Sequence, residues 1–310
     1  MRKFIGTVVI VIIIFFFAGC MLSMRGLMEQ LHLEEPKIAE NSILLLQLEG
    51  VILDGKDFLD DLDKYADEDE IKGILIQINS PGGVVGPSQE IYAEIKRVRD
   101  ELKKPVVVSV SSLAASGAFY AAVAADKIVT NPGSLLGSIG VIMEFANLEK
   151  LYEWAKIKRY VIKTGAFKDS GSEYRDMRDD EKQVFQSMAN EVLGQFKQAV
   201  ASGRNIPLEQ VSAIADGRVF TGERAISMHL ADQIGTLNDA KKLIGQLAGV
   251  GEEPEIFTPP AKRGGYLAEL LDQKTKIPGL EEPIRNLLHS RFWGQPLLLL
   301  PGALASMGDR

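Results

Sequence analysis

The sequence predicts an α/β fold in which helices flank a parallel sheet. Buried strands alternate with helices in the middle of the chain, and short connections join them. The strand near residue 75 and the strand near residue 107 are continuous apolar runs, which is typical of strands that are covered on both faces. Such strand–helix–strand units are almost always right-handed. The predicted strands and helices of this series are, in order, 72–79, 87–102, 105–110, 119–125 and 127–130.

The composition is that of a globular protein and argues against several classes of function. The 310 residues carry a net charge of −7, which disfavours nucleic acid as the main partner. The single cysteine excludes an intrachain disulfide and zinc sites built on cysteine clusters. The three histidines, His32, His229 and His289, match no ligand spacing. The sequence therefore predicts no metal and no other cofactor.

The first 22 residues form a candidate membrane segment. Residues 4–22 carry no charge, and as a helix they would span about 28 Å, close to the thickness of a bilayer core. Basic residues precede the segment, so the remainder of the chain is expected outside the cytoplasm, tethered to the cell membrane. One interpretation is an uncleaved transmembrane anchor, which the length of the apolar run favours. The alternative is a lipoprotein signal, in which Phe17-Ala-Gly-Cys20 would direct lipidation of Cys20.

The rest of the chain divides into three parts by composition. Residues 23–41 are mixed and polar and are expected to form a tether. Residues 42–250 carry the alternating strands and helices, and later a predicted strand at 159–163 and a long helix at 179–203. Residues 251–310 form a C-terminal extension. Its apolar end, 297–305, is too short and too interrupted by proline to span a bilayer.

The junction at Ser116 is the first candidate for chemistry. A buried strand turns there into a helix through small residues, so another backbone can come close to the hydroxyl. The hydroxyl would also lie at a helix N-terminus, where free N–H groups favour negative charge. We interpret Ser116 as a candidate nucleophile. The alternative is that a small serine simply fits a tight junction.

Two further segments could complete such a site. Ser80-Pro-Gly-Gly83 ends the neighbouring strand, at the sheet edge where ligands gather, and its glycine N–H groups suit an oxyanion hole. The alternative is a plain Pro-Gly turn. No histidine is placed to act as base, whereas a lysine can do so if burial keeps its amine uncharged. Lys168 lies in a loop of small residues and is the candidate, with Lys163 as competitor and a solvated lysine as the alternative.

The chain resembles the serine–lysine peptidases of family S49 over about residues 43–247. Several motifs occur in the order and at the spacing of that family, and the separation of Ser116 from Lys168 matches its single-repeat form. The segments that carry the resemblance are Ser80-Pro-Gly-Gly83, Ser111-Ser-Leu-Ala-Ala-Ser-Gly-Ala-Phe-Tyr120, Gly133-Ser-Leu-Leu-Gly-Ser-Ile-Gly-Val141, Lys163-Thr-Gly-Ala-Phe-Lys-Asp169, Asp216-Gly-Arg-Val-Phe-Thr-Gly222 and Leu230-Ala-Asp-Gln-Ile-Gly235.

The resemblance implies a ClpP/crotonase-type fold and a set of roles. Ser116 would be the nucleophile, Lys168 the general base, Gly83 an oxyanion-hole donor and Ser138 the hydroxyl that orients the lysine amine. It also implies a dome-shaped homo-octamer in which serine and lysine meet across a protomer boundary. The implied activity is that of a membrane-anchored serine endopeptidase that cleaves remnant signal peptides.

Three questions stay open on the sequence alone. One alternative function is a crotonase-like acyl-CoA enzyme, in which backbone N–H groups would hold a thioester oxygen. Another is a membrane scaffold without catalysis. The tail at 297–305 itself resembles a signal peptide, with leucines before Ala303-Leu-Ala305. It would occupy the site or be trimmed by it, or it would pack against a neighbour.

Overall fold

A computed structural model describes residues 37–260 and the backbone of residues 297–299. The described residues belong almost entirely to a compact unit that begins at Ala39. The predicted membrane segment with Cys20, most of the predicted tether and most of the C-terminal extension lie outside the described residues. Within the described ranges, no helix has the length and apolar character needed to cross a membrane.

The described residues form a mixed sheet of nine strands that is parallel through its centre. The strands are β1 Ser42–Ile52, β2 Ile71–Val84, β3 Val106–Ala115, β4 Lys127–Thr130, β5 Leu135–Gly137, β6 Val219–Thr221, β7 Gln233–Ile234, β8 Ile256–Phe257 and β9 Leu297–Leu299. The main path runs β6-β5-β3-β2-β1-β8, while β4 pairs with β3 and β7, and β9 pairs with β2. Only the pairings of β5 with β6 and of β2 with β9 are antiparallel among these strands.

Helices flank this sheet, as the alternating pattern predicts. The fold class expected from the sequence, an α/β fold with a parallel sheet, is therefore confirmed. The described helices are α1 Lys56–Ala66, α2 Val85–Asp100, α3 Gly117–Ala122, α4 Glu149–Trp154, α5 Asp179–Arg204, α6 Leu208–Ile214, α7 Gly222–Ser227 and α8 Leu237–Leu247.

The core lies on the two faces of the central strands. On one face, Leu75 of β2 and Val107 of β3 pack in a fully buried cluster with Ile244 of α8. Helices α2 and α3 pack against each other, and the side chains of α3 are almost completely buried. Burying one aliphatic side chain of this size contributes about 1.5–3 kcal/mol. The core therefore fixes the carboxyl ends of β2 and β3 as a rigid platform.

β2 is longer than the sequence predicts. The strand predicted to end at residue 79 continues to Val84, because β1 and β2 remain paired at Val51–Gly82 and Ile52–Gly83. The ladder is irregular between Glu49 and Val51, where Gly50 has a positive φ of 70°. A glycine tolerates this conformation without steric cost, so the pairing resumes beyond it.

The predicted strand at 159–163 is wrong. This segment has no regular secondary structure, and it follows the short helix α4. Tyr160 and Ile162 are exposed, so the run Tyr160-Val-Ile162 that suggested a strand has no sheet to pack on within the described residues. The segment is held instead by Arg159, whose guanidinium pairs with Glu173 and lies over the Tyr174 ring.

Candidate active site

Ser116 lies at the junction between β3 and α3 in a strained backbone conformation. Its φ of 54° and ψ of −118° fall outside the regions that L residues ordinarily occupy. The neighbouring structure holds it there: the Ser116 N–H donates to the Gly137 carbonyl at 2.7 Å, and the Tyr120 N–H donates to the Ser116 carbonyl at 2.8 Å. Strain of this kind costs about 1–3 kcal/mol and is concentrated at functional sites.

The hydroxyl of Ser116 has no hydrogen-bond partner among the described residues. The residue is 1% exposed, and its Oγ is buried. Leaving a buried hydroxyl unpaired costs about 1–3 kcal/mol, so such groups are rare unless another molecule supplies the partner. The alternative that this serine merely fits a tight junction accounts for its size but not for its unpaired hydroxyl.

Ser138 lies beside Ser116 because β3 and β5 are paired to their last residues. Ala115 is opposite Gly137 in the ladder, so each serine follows directly after a paired position. Ser138 also has a positive φ, of 52°, and its N–H donates to the Arg218 carbonyl at 2.9 Å. It lines a small cavity of about 260 Å³ together with Ile142, Leu193 and Asp216. The fold therefore brings the predicted lysine-orienting serine next to the predicted nucleophile.

Gly83 lies at the end of β2, where only a glycine fits. A Cβ at this position would lie 1.9 Å from the carbonyl oxygen of Ile52 on β1. The preceding amide is also fixed, since the Gly82 N–H donates to Oγ of the buried Ser80 at 3.1 Å. Because Ser80 is paired with Ala114 of β3, Gly82 and Ser116 each lie two residues beyond a paired position. The Gly82–Gly83 backbone is thus held at the same end of the sheet as Ser116.

The edge of β2 at this point is already occupied by an extended segment. β9 pairs antiparallel with β2, with Leu298 opposite Gly83 and Leu297 opposite Val84. The opposite edge of Gly82 and Gly83 is taken by Val51 and Ile52 of β1. β9 therefore lies on the side of β3, in the space that opens where β3 ends and the Ser116 junction begins.

Lys168 does not hydrogen-bond to the Ser116 hydroxyl within one chain. It is exposed, in the irregular segment 155–178, and the unpaired Ser116 Oγ excludes any amine within hydrogen-bond distance among the described residues. The competitor Lys163 is engaged, because its Nζ pairs with Asp169 at 2.5 Å and donates to the Ala166 carbonyl at 3.1 Å. Of these two lysines, only Lys168 has no carboxylate partner in the described structure.

Comparison with known proteins gives the family. Residues 99–251 match the model of peptidase family S49, and residues 56–132 match the model of the Clp protease. A Synechocystis protein provisionally named a protease is 40% identical over 187 residues, covering 60% of this chain and 67% of that protein. The chain belongs to peptidase family S49.

Other relatives carry more specific names. An Enterococcus faecium protein provisionally named signal peptide peptidase SppA is 32% identical, covering 66% of this chain and 63% of that protein. The chloroplastic serine protease SPPA of Arabidopsis thaliana is 30% identical, covering 76% of this chain and 33% of that protein. The family and the class of serine peptidase predicted from the sequence are confirmed, and the Clp protease match agrees with the observed fold.

A charged cluster next to Lys168 was not predicted from the sequence of this S49 chain. Glu181 at the start of α5 is completely buried, and its carboxylate accepts hydrogen bonds from Arg175 and from the Arg178 N–H. The hydrogen bonds from Arg175 lower the pKa of Glu181 to about 2. Asp169 also pairs with Arg175, and hydrogen bonds from Lys163 and Arg175 hold the pKa of its carboxyl well below the ordinary value.

One feature of the sequence could have indicated this charged cluster. Charged residues of both signs fill 173–182, just before a long amphipathic helix. Such a run usually indicates a solvated face, but an acidic residue at the third position of a helix is also typical of a buried N-terminal cap. His229, which matches no ligand spacing in the sequence, is exposed two residues after the end of α7. No group of acidic, histidine or cysteine side chains that could hold a metal is found in the described part of the family domain.

Proposed function

We propose that this S49 protein is a serine endopeptidase in which Ser116 is the nucleophile and Lys168, from a neighbouring copy of the chain, is the general base. The observation that carries the proposal is the buried Ser116 hydroxyl, which sits on a strained junction and has no partner among the described residues. The exposed Lys168 without a carboxylate partner is the complementary observation. The Ser116 hydroxyl lacks a partner that could accept its proton, and the Lys168 amine lacks a carboxylate that would hold it elsewhere.

The chemistry follows from these positions. The uncharged Lys168 amine accepts the proton from the Ser116 hydroxyl while the serine oxygen attacks the carbonyl carbon of a peptide bond. Backbone N–H of Gly83 stabilises the negative oxygen of the tetrahedral intermediate, an interaction that typically contributes about 3 kcal/mol to the transition state. The lysine then returns the proton to the leaving amine. Water, activated by the same amine, cleaves the acyl-enzyme and regenerates the serine.

A neighbouring copy also explains the apolar surface around Lys168. Large side chains of this surface are exposed in the single chain, including Trp154 at 82% and Ile162 at about full exposure. Exposed apolar patches of this kind mark interfaces. The exposed large side chains of the segment are Leu151, Trp154, Ile157, Tyr160, Val161, Ile162 and Phe167. Covering them with a second copy would bury the lysine in an apolar setting, which disfavours its charged form.

Helix α5 supports the same assembly. The apolar residues that the sequence placed on one face are Val184, Met188, Val192 and Phe196. Phe196 is completely buried, whereas Val184 and Met188 remain about 40% exposed. The chain therefore covers only the C-terminal half of this face. The small cavity beside Ser138 is open in the single chain, and we propose that the neighbour's Lys168 amine enters it.

The substrate class follows from the edge of β2. An extended segment of leucines already pairs antiparallel with Gly82–Val84, so this edge accepts a peptide strand. We propose that substrates bind in the same way, and that they are apolar peptides such as remnant signal peptides. The relative provisionally named signal peptide peptidase SppA supports this choice. A membrane tether at residues 1–22 would place the enzyme where such peptides are released.

The experiment is a complementation between two inactive variants. Ser116→Ala and Lys168→Ala should each abolish hydrolysis of a peptide ester, while Lys158→Ala, an exposed lysine of the same segment, should not. Co-assembly of the Ser116→Ala and Lys168→Ala chains should restore activity, because mixed neighbours rebuild intact sites. Full activity of purified Lys168→Ala would reject the dyad. Inactive variants that never complement would reject sharing between copies.

A further inference from the structure

We propose that Glu181, acting through Arg175 and Arg178, is a positioning residue that fixes the backbone on both sides of Lys168. This inference rests on the proposed function, since it concerns the lysine of the dyad. We call Asp169, Arg175, Arg178 and Glu181 the lysine clamp. The mechanism above uses none of these four side chains.

Glu181 is the fixed end of the clamp. Its carboxylate is buried and receives two hydrogen bonds from Arg175, at 2.6 Å to Oε1 and 2.9 Å to Oε2. The Arg178 N–H donates to Oε2 at 2.9 Å, and Arg178 Nη1 lies 2.8 Å from Oε1. A bidentate guanidinium–carboxylate pair is both strong and geometrically specific. A charge buried this completely is stable only with such partners.

Arg175 binds Asp169, the residue directly after Lys168. Its Nη2 donates to the Asp169 carbonyl at 3.0 Å and lies 3.1 Å from the Asp169 carboxylate. The same guanidinium therefore joins the buried Glu181 to the residue that follows the lysine. The Asp169 carbonyl also accepts a hydrogen bond from the Ser172 hydroxyl.

Arg178 contacts Ala166 and Phe167, the two residues that precede Lys168. Its Nη2 donates to the Ala166 carbonyl at 3.2 Å, and its guanidinium lies 5.6 Å from the centre of the Phe167 ring. Cation–aromatic contacts of this type contribute about 0.5–1 kcal/mol at exposed sites. Phe167, on one side of Lys168, is thus held by Arg178. Asp169, on the other side, is held by Arg175, and Arg178 Nη1 also lies 3.9 Å from its carboxylate.

The lysine clamp fixes a segment of the chain that has no regular secondary structure. Residues 155–178 form neither helix nor strand, so no ladder of backbone hydrogen bonds fixes Lys168. The lysine backbone has one local contact of its own, from its N–H to the Gly165 carbonyl at 3.2 Å. A base misplaced by about 1 Å can lose about a hundredfold in rate. The charged side chains around Lys168 are also paired with opposite charges. These ion pairs are Lys163 with Asp169, Arg175 with Glu181, and Arg178 with Asp180.

The test is a double-mutant cycle on the full-length assembled protein with a peptide ester. Glu181→Gln should lower kcat by about 10- to 100-fold with KM within about twofold, since the clamp places the base and does not touch substrate. In a Lys168→Ala background, the same substitution should leave the residual rate unchanged. Glu191→Gln, an exposed carboxylate on the same helix, is the matched control and should behave as wild type.

A second variant keeps the test decisive if Glu181→Gln does not fold. Arg178→Gln alters a half-exposed side chain and removes the contacts to Ala166 and Phe167. The same cycle applies to it. An unchanged kcat in these variants, or an equal loss with and without Lys168, overturns the clamp. A fully active Lys168→Ala would instead overturn the dyad, so the two failures are distinguishable.

Discussion

Ser116 and Gly83 show how strongly single residues are constrained at the carboxyl end of this sheet. Ser116 keeps a positive φ although it is not a glycine, and its neighbours on β5 and α3 hold it there. Gly83 has no room for a side chain, because the Ile52 backbone lies directly against it. Such local conflicts persist only where the surrounding fold imposes them.

Substituting Gly83 tests the close approach of β1 and β2. In Gly83→Ala the new Cβ would overlap the Ile52 carbonyl, so one strand must move and carry the Gly83 N–H with it. We expect kcat for a peptide ester to fall by about 100-fold or more, which is typical of losing an oxyanion donor. Gly86→Ala is the control, because nothing lies within 4 Å of a Cβ there. Equal activity of the two variants would contradict the role of Gly83.

The buried Glu181 predicts a pH dependence of stability. Arg175 lowers its pKa from about 4.5 to about 2 in the folded chain. Because the pKa of Glu181 is lower in the folded chain than in the unfolded chain, its ionised carboxylate stabilises the folded state at pH values above the ordinary pKa. This stabilisation is lost as the pH falls to about 2. Urea unfolding should therefore show a deficit for Glu181→Gln at pH 7 that shrinks between about pH 4.5 and pH 2. A deficit independent of pH across this window would contradict the ionised pair.

Among the secondary-structure elements, β9 is a strand that the sequence did not predict. The sequence suggested that the apolar tail resembles a peptide substrate, and the structure pairs Leu297–Leu299 with the end of β2. The segment takes the edge that β3 leaves free beyond Ala114. A strand of the protein's own chain thus lies where we propose that substrate strands bind.

Removing this strand should make the site more accessible. A segment tethered in the same chain competes at an effective concentration of about a millimolar. A chain that ends at Pro296 should therefore show a KM for apolar peptides lower by about tenfold, with kcat unchanged. A chain that ends at Pro301 keeps the strand and should behave as wild type. Unchanged KM in the shorter chain would show that β9 does not compete with substrate.

For the whole molecule, the sequence predicted the architecture better than the site. Repeated strand–helix units and the small-residue junction at Ser116 are local patterns, and the parallel sheet follows from them. The strand predicted at 159–163 is wrong because a short apolar run does not show whether a sheet edge is within reach. The Ser116 backbone strain and the Arg175–Glu181 pair arise from contacts between segments, which no local pattern contains.

The arrangement of neighbouring copies is also not contained in the local sequence patterns of one chain. The apolar surface around Trp154, the half-covered face of α5 and the exposed Lys168 all belong to one stretch, from 142 to 188. Ser116 and Ser138 belong to the sheet. We therefore expect the catalytic unit to be a pair of neighbouring copies, in which one supplies the sheet and the other the lysine.

The most direct test is a structure of the assembled particle, in which the distance from each Ser116 Oγ to the nearest Lys168 Nζ is measured. We expect a lysine from the adjacent copy to lie within about 3.2 Å of the serine, shielded from water by the surface around Trp154. An assembled particle in which every Lys168 extends into bulk solvent, with no copy near any Ser116, would contradict it.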